Sequence, residues 1–309
     1  MRDSWTFKIS VGQLSESLLN QLSDAIFKYT VPLIVDDLVI GTGTLAQIDK
    51  TAGIFTARHV TTKIFERRKG KFVHGFLLTA PDEQPVILGV EIPYLDCWRP
   101  DGRDDKFGPD VAFLVLPEGH NFTSELRWKK SFVPISTNPV KRRKLARRKI
   151  LAAVAGFVFG ETKITGPESG FARVERPQGY SFIGGALARR RQYRGFDFID
   201  VDGDRRGCKS IPWNFRGVSG GGLWTFQVAR RRGDPPGTEV LQRLVFSGVA
   251  FYELNTSPQN PRLRCHGPKS VYEIALVRIR MWLARRKNRR LLLPVRPDSD
   301  SPSFGGSDE

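Results

Sequence analysis

Short apolar or alternating runs recur along this chain, at 31–35, 38–47, 76–79, 86–90, 111–116, 150–159, 196–201, 222–228 and 244–251, with turn residues between them. Runs of that length fit strands, whereas a helix would show apolar residues at a longer period. The 30 Gly and 20 Pro supply the turns that many short strands need, so the pattern predicts an all-β chain rather than alternating strands and helices. Two segments depart from it. Residues 12–27 carry Leu18, Leu19, Leu22 and Ile26 at helical spacing and predict an N-terminal helix; a C-terminal helix is predicted over 271–286. No solenoid period is present in the sequence.

At 309 residues the chain exceeds the usual single hydrophobic core, which favours two packed units. The opening Met1-Arg2-Asp3-Ser4 lacks the apolar run of a signal peptide, and the longest apolar stretch, 150–158, is too short to cross a bilayer. A soluble, cytoplasmic protein is the expectation. Its cysteines, Cys97, Cys208 and Cys265, form no even framework, so disulfides are not expected to hold the fold. Cys265-His266 has no second pair at ligand spacing and reads as an incidental thiol beside a surface histidine rather than a zinc site. Asp200-Val201-Asp202-Gly203-Asp204 fails as a calcium loop, because the required glycine falls on Arg205 and the last acid on Ile211; a tight acidic hairpin turn is expected. No metal or cofactor is expected.

The net charge is +17, and its excess is clustered. Residues 141–149 read KRRKLARRK, and further runs lie at Arg189-Arg190-Arg191, Arg230-Arg231-Arg232 and 285–290. Such a surface attracts nucleic acid, an anionic membrane or an acidic protein. No helix-turn-helix, finger or RNA-binding signature accompanies the charge, so a solvated arginine-rich surface is the preferred reading and contact with an acidic protein or nucleic acid the alternative. The tail, 294–309, is rich in Pro, Ser, Asp and Gly and is expected to be disordered.

Three distant segments carry chemistry: Thr56-Ala57-Arg58-His59-Val60, Asp110-Val111-Ala112 and Gly217-Val218-Ser219-Gly220-Gly221. A serine hydroxyl is a poor nucleophile at its free pKa. It needs an imidazole to take its proton and an acid to hold that imidazole in the right tautomer. Ser219, His59 and Asp110 fit those roles. The glycines around Ser219 suit a turn that aims backbone N–H groups at a developing oxyanion, and the nitrogens nominated are those of Gly217 and Ser219.

In the order His, Asp, Ser these segments resemble the trypsin-like (chymotrypsin-fold) serine peptidases, in a bacterial-type intracellular form. The run Gly41-Thr42-Gly43-Thr44-Leu45 with Ile54-Phe55-Thr56-Ala57 is similar to the strands leading into the family's histidine, 108–115 to its acid and following strand, and 268–272 to the segment behind its specificity pocket. The resemblance implies two packed six-stranded antiparallel barrels flanked by an N-terminal and a C-terminal helix. It divides the chain into a helical segment 1–27, a first barrel 28–140 carrying His59 and Asp110, a basic linker 141–149, a second barrel and helix 150–293 carrying Ser219, and the tail. It implies an endopeptidase acting on polypeptide through an acyl-enzyme, and it places Trp213, Phe251 and Glu253 around the substrate pocket. Val218 stands where secreted digestive relatives carry an aspartate that pairs with a newly cut N-terminus, so that activation route is not expected. The alternatives are a non-catalytic binding protein using its basic surface on the same scaffold, and an esterase with the same triad.

Overall fold

Ser15 starts the structure's first helix, its side chain accepting the Leu18 N–H at 3.2 Å, and α1 runs from Glu16 to Phe27. The cap explains why the helix begins later than the hydrophobic period alone suggests. Glu16 in the first turn favours the positive end of the helix dipole, and Leu18, Leu22 and Ile26 form its buried stripe. The computed structural model describes residues 14–35, 38–66, 74–78, 86–90, 96–100, 109–116, 118, 127, 130–136, 151–157, 163–165, 173–175, 179–184, 189–202, 216–230, 233–235, 237–254 and 262–292. The expected linker 141–149 and tail 294–309 lie outside the described residues.

The first sheet contains β1 (Thr30–Val35), β2 (Leu38–Ile48), β3 (Thr51–Thr56), β4 (His74–Leu78), β5 (Val86–Val90), β6 (Asp96–Trp98) and β7 (Ala112–Val115), in the order β5-β4-β1-β2-β3-β7-β6. β8 (Val133–Ile135) adds to β2 in parallel. A short helix, α2 (Arg58–Glu66), follows β3 directly. The sequence did not announce it, because its only apolar residues are Val60, Ile64 and Phe65. β10 (Lys163–Thr165) and β11 (Arg173–Glu175) form a separate antiparallel pair.

The second sheet contains β9 (Leu151–Phe157), β12 (Gly179–Gly184), β13 (Arg189–Tyr193), β14 (Phe196–Asp202), β15 (Gly222–Ala229), β16 (Val240–Leu254) and β17 (Arg262–His266), in the order β12-β9-β15-β16-β17-β14-β13. The arginine run at 189–191 lies in β13, which among the described residues ends the strand order of this sheet. Asp200, expected in a hairpin turn, lies inside β14 instead. Its carboxylate binds Arg264 of β17 in a fork, with Nε–Oδ1 at 2.8 Å and Nη2–Oδ2 at 3.2 Å, both side chains buried.

The fold is thus mostly β, with two packed sheets and helices near both ends, as the sequence pattern predicts. The sheets have eight and seven strands, and among the described residues neither hydrogen-bonded path closes, so open sheets replace the expected six-stranded barrels. Aromatic contacts join them: Phe55 of β3 meets Phe246 of β16 at 5.8 Å, Tyr29 meets Trp224 of β15 at 5.2 Å, and Phe27 of α1 meets Phe157 of β9 at 5.8 Å. These rings pack with aliphatic core residues such as Leu33, Leu45 and Ile54.

After β17 the chain enters a π-helical segment, Lys269–Ala275, that continues as α3 (Leu276–Leu292). Asp197 anchors its start, Oδ1 accepting the Ser270 N–H at 2.7 Å and Oδ2 the Lys269 N–H at 3.2 Å. Residues 268–272 therefore open a helix, where the resemblance implied a wall behind a pocket. No helix among the described residues is long and apolar enough to cross a membrane.

Candidate active site

Antiparallel pairing decides where the chemistry meets. β3 and β7 pair with Thr56 opposite Ala112, so the end of one strand lies beside the start of the other. His59 comes three residues after Thr56, in the first turn of α2, and Asp110 comes two residues before Ala112. The His59 backbone N–H donates to Asp110 Oδ1 at 2.9 Å, and the ring Nδ1 lies 2.6 Å from Oδ2. A carboxylate only accepts, so Nδ1 carries a proton, and in the neutral form of the ring the lone pair is on Nε2. The Asp110 side chain is 5% exposed and that of His59 28%, so the carboxylate is shielded from solvent while the imidazole is partly accessible.

The Ser219 turn reaches the same place from the other sheet. Residues 216–220 form turns before β15, and Thr42 of β2 holds them: its N–H donates to Ser219 O at 2.8 Å and its hydroxyl to Gly217 O at 2.7 Å. A methyl group on Gly220 would sit 2.0 Å from Thr42 O, 2.1 Å from Thr56 Oγ1 and 3.1 Å from the Ala57 nitrogen. One on Gly41 would meet the Val60 side chain and Ser219 O. The neighbours of Ser219 thus touch the neighbours of His59, and Ser219 itself is half-buried. Gly217 and Gly220 have φ of +94° and +92°, a conformation that L side chains resist. The Gly220 and Gly221 amides bond Ala250 O and Val218 O, at 2.7 and 2.8 Å. An oxyanion would need other amides of the turn, and those nominated belong to Gly217 and Ser219.

The pocket residues fare differently. Trp213 lies outside the described residues. Phe251 is buried, its ring stacked on His266 at 4.5 Å, which assigns it to the packing behind Asp110. Glu253 is partly exposed on β16, opposite Leu263 of β17. The ten residues between β15 and β16 include a buried Glu239, which pairs with Arg230 at 3.3 Å and accepts the Gly237 N–H at 3.0 Å. Gly237 in turn lies near Ser15, at the start of α1.

His266 is the residue the sequence most misrepresented. It is fully buried, and its Nε2 accepts the Asp110 N–H at 2.9 Å. Burial pushes its pKa down to about 4, with the charge of Asp110 opposing the shift. The neighbouring Cys265 is equally buried, and burial followed by the charge of Asp200 pushes its thiol well above the ordinary range. Among the described residues no three His, Cys, Asp or Glu side chains cluster as metal ligands.

A scan of protein-family models finds no match, and a search of curated proteins finds none. Among solved structures the chain is similar to the serine protease domain of the Sesbania mosaic virus polyprotein, at 14% identity and a TM-score of 0.38, over 80% of this chain and 91% of that one. It is also similar to a chain studied for aromatic interactions that drive coupled folding and binding of the intrinsically disordered Sesbania mosaic virus VPg protein, at 14% identity and a TM-score of 0.39, over 80% and 90%. These neighbours are viral and lend no support to a bacterial-type member.

Proposed function

We propose that the chain is a serine endopeptidase that hydrolyses peptide bonds with His59, Asp110 and Ser219. The observation that carries this reading is the 2.6 Å contact between His59 Nδ1 and Asp110 Oδ2, which puts the lone pair of a neutral ring on Nε2, free to take a proton from Ser219 on this reading. Ser219 Oγ attacks the carbonyl carbon and passes its proton to His59 Nε2, while Asp110 stabilises the imidazolium. The C–N bond then breaks, His59 returns the proton to the leaving amine, and an acyl-enzyme remains. A water molecule repeats the sequence, its proton going to His59 and then to Ser219 Oγ as the acid leaves.

The test combines labelling with product analysis. A fluorophosphonate probe should label wild type at Ser219 and leave Ser219→Ala untouched. A peptide library digested by wild type and by Ser219→Ala, read by mass spectrometry, should show cleavage in the first alone. Labelling that survives Ser219→Ala removes the nucleophile assignment. Labelling without peptide cleavage, together with turnover of simple esters, would replace the peptidase with an esterase.

A further inference from the structure

We infer that His266 is a positioning residue for the His59–Asp110 pair, a neutral imidazole in the second sheet that fixes the acid's backbone in the first. The inference rests on the proposed function for its catalytic meaning.

The argument begins with what holds His266. It ends β17 and is paired on both sides, with Phe198 of β14 and with Val249 of β16. Its ring stacks on Phe251 at 4.5 Å and 25°, lies tilted to Phe198 at 5.1 Å and meets Phe196 edge-on at 5.7 Å. Three aromatic neighbours leave the ring little freedom. Its Nε2 accepts from Asp110 N, so the ring proton sits on Nδ1. That Nδ1 is buried without a hydrogen-bond partner among the described residues. A side chain present only for packing would gain nothing from a buried unpartnered donor. The acceptor on the opposite side of the ring is the feature that gives the histidine a purpose.

That purpose is geometric. Asp110 uses both carboxylate oxygens on His59, one on the backbone N–H and one on Nδ1, so a small rotation of its backbone would lose one bond or the other. Its own N–H, held by His266, removes that rotation. Because burial keeps His266 neutral until about pH 4, its acceptor lone pair is present at neutral pH.

The test reads position separately from turnover. In wild-type protein, ¹⁵N shifts of the His266 ring should show Nδ1 protonated and Nε2 bare; a protonated Nε2 at neutral pH would overturn the inference without any variant. His266→Phe keeps the aromatic packing and removes the acceptor. It should shift or broaden the downfield His59 Nδ1 proton and lower kcat by about 10²-fold with KM little changed, as a displaced catalytic group does. His266→Gln, which can accept again, should recover part of both. A His266→Phe protein with wild-type resonance and kcat would make His266 a packing residue. If wild type cleaves no peptide but the His59 proton still responds to His266→Phe, the peptidase reading falls and the positioning of the pair stands.

Discussion

Thr42 is joined to Ser219 by a 2.8 Å bond from its N–H to the serine carbonyl, and every other polar group of Thr42 is occupied as well. Its hydroxyl donates to Gly217 O at 2.7 Å and accepts Phe157 N–H at 2.9 Å, while its carbonyl accepts the Thr56 hydroxyl at 2.7 Å. Thr42→Val keeps the shape and strands Gly217 O and Phe157 N–H. The expected cost is about 1–3 kcal/mol of stability from the buried Phe157 N–H, with a smaller addition from the partly buried Gly217 O, read by urea unfolding, with slower labelling of Ser219. A loss under about 0.5 kcal/mol, the level of a neutral surface change, would mean that the hydroxyl does not hold the turn.

Asp110→Asn should fold, because the buried amide can still accept from the His59 N–H. Its NH₂ can donate to Nδ1, however, and so favours the ring tautomer with the lone pair on the wrong side. Turnover should fall by about 10⁴, the loss found when the template triad is altered in this way. Steady-state kinetics on any cleaved peptide checks it, and near-normal turnover removes Asp110 from the mechanism.

Two glycines with the same backbone twist should respond differently to alanine. Gly233 has φ +94° and open space where a methyl would go, so Gly233→Ala costs only the strain of a left-handed residue, about 1–2 kcal/mol. At Gly220 the same strain is joined by collision with Thr42 O and Thr56 Oγ1, which are fixed by their mutual bond. Gly220→Ala should be clearly the more destabilising and should abolish labelling of Ser219. Equal unfolding midpoints for the two variants would contradict the packing of this turn.

His266 makes stability depend on pH. Its pKa in the fold, about 4, lies below the ordinary 6.5, so the unfolded chain binds the proton more readily. The stabilising contribution is full above pH 6.5, declines as pH falls toward 4, and is flat below; the whole change is about 3 kcal/mol. Urea midpoints at pH 4 to 7 for wild type and His266→Phe isolate it, because other groups contribute to both. Parallel curves would show that His266 does not titrate as its burial requires.

For the basic runs, weak and sequence-blind binding to RNA and DNA is expected, gone near physiological salt. Fluorescence anisotropy across a salt series measures it. A dedicated polyanion site would instead bind tightly at that salt, with log affinity falling by roughly 0.9 per duplex phosphate contacted, and would lose affinity when 141–149 is neutralised.

The strands were legible because short apolar or alternating runs bounded by turn residues mark them; the run at 86–90 coincides with β5. Short strands rich in charge, such as β13 and β17, were not: β13 has no alternation, and in β17 the arginines read as solvent-facing although Arg264 is buried in its pair with Asp200. His59 and Asp110 could be nominated because motif order survives in one dimension. The role of His266 could not. What makes it useful is a partner 156 residues away and a box of aromatic rings, and neither is visible from its neighbours Cys265 and Gly267. Scarcity was the only signal, with 4 histidines in the whole chain.

The bond from Asp110 to His266 also sets an order of events during synthesis. A ribosome that has delivered the first sheet has already made His59 and Asp110, but the acceptor for the acid's backbone is not yet translated. Ser219 follows Asp110 and precedes His266, so all three proposed catalytic residues are made before this last support. On the proposed function, a nascent chain short of His266 therefore holds the three proposed catalytic side chains without the bond that fixes the Asp110 backbone, and that bond forms only once β17, the last strand of the second sheet in chain order, has been translated.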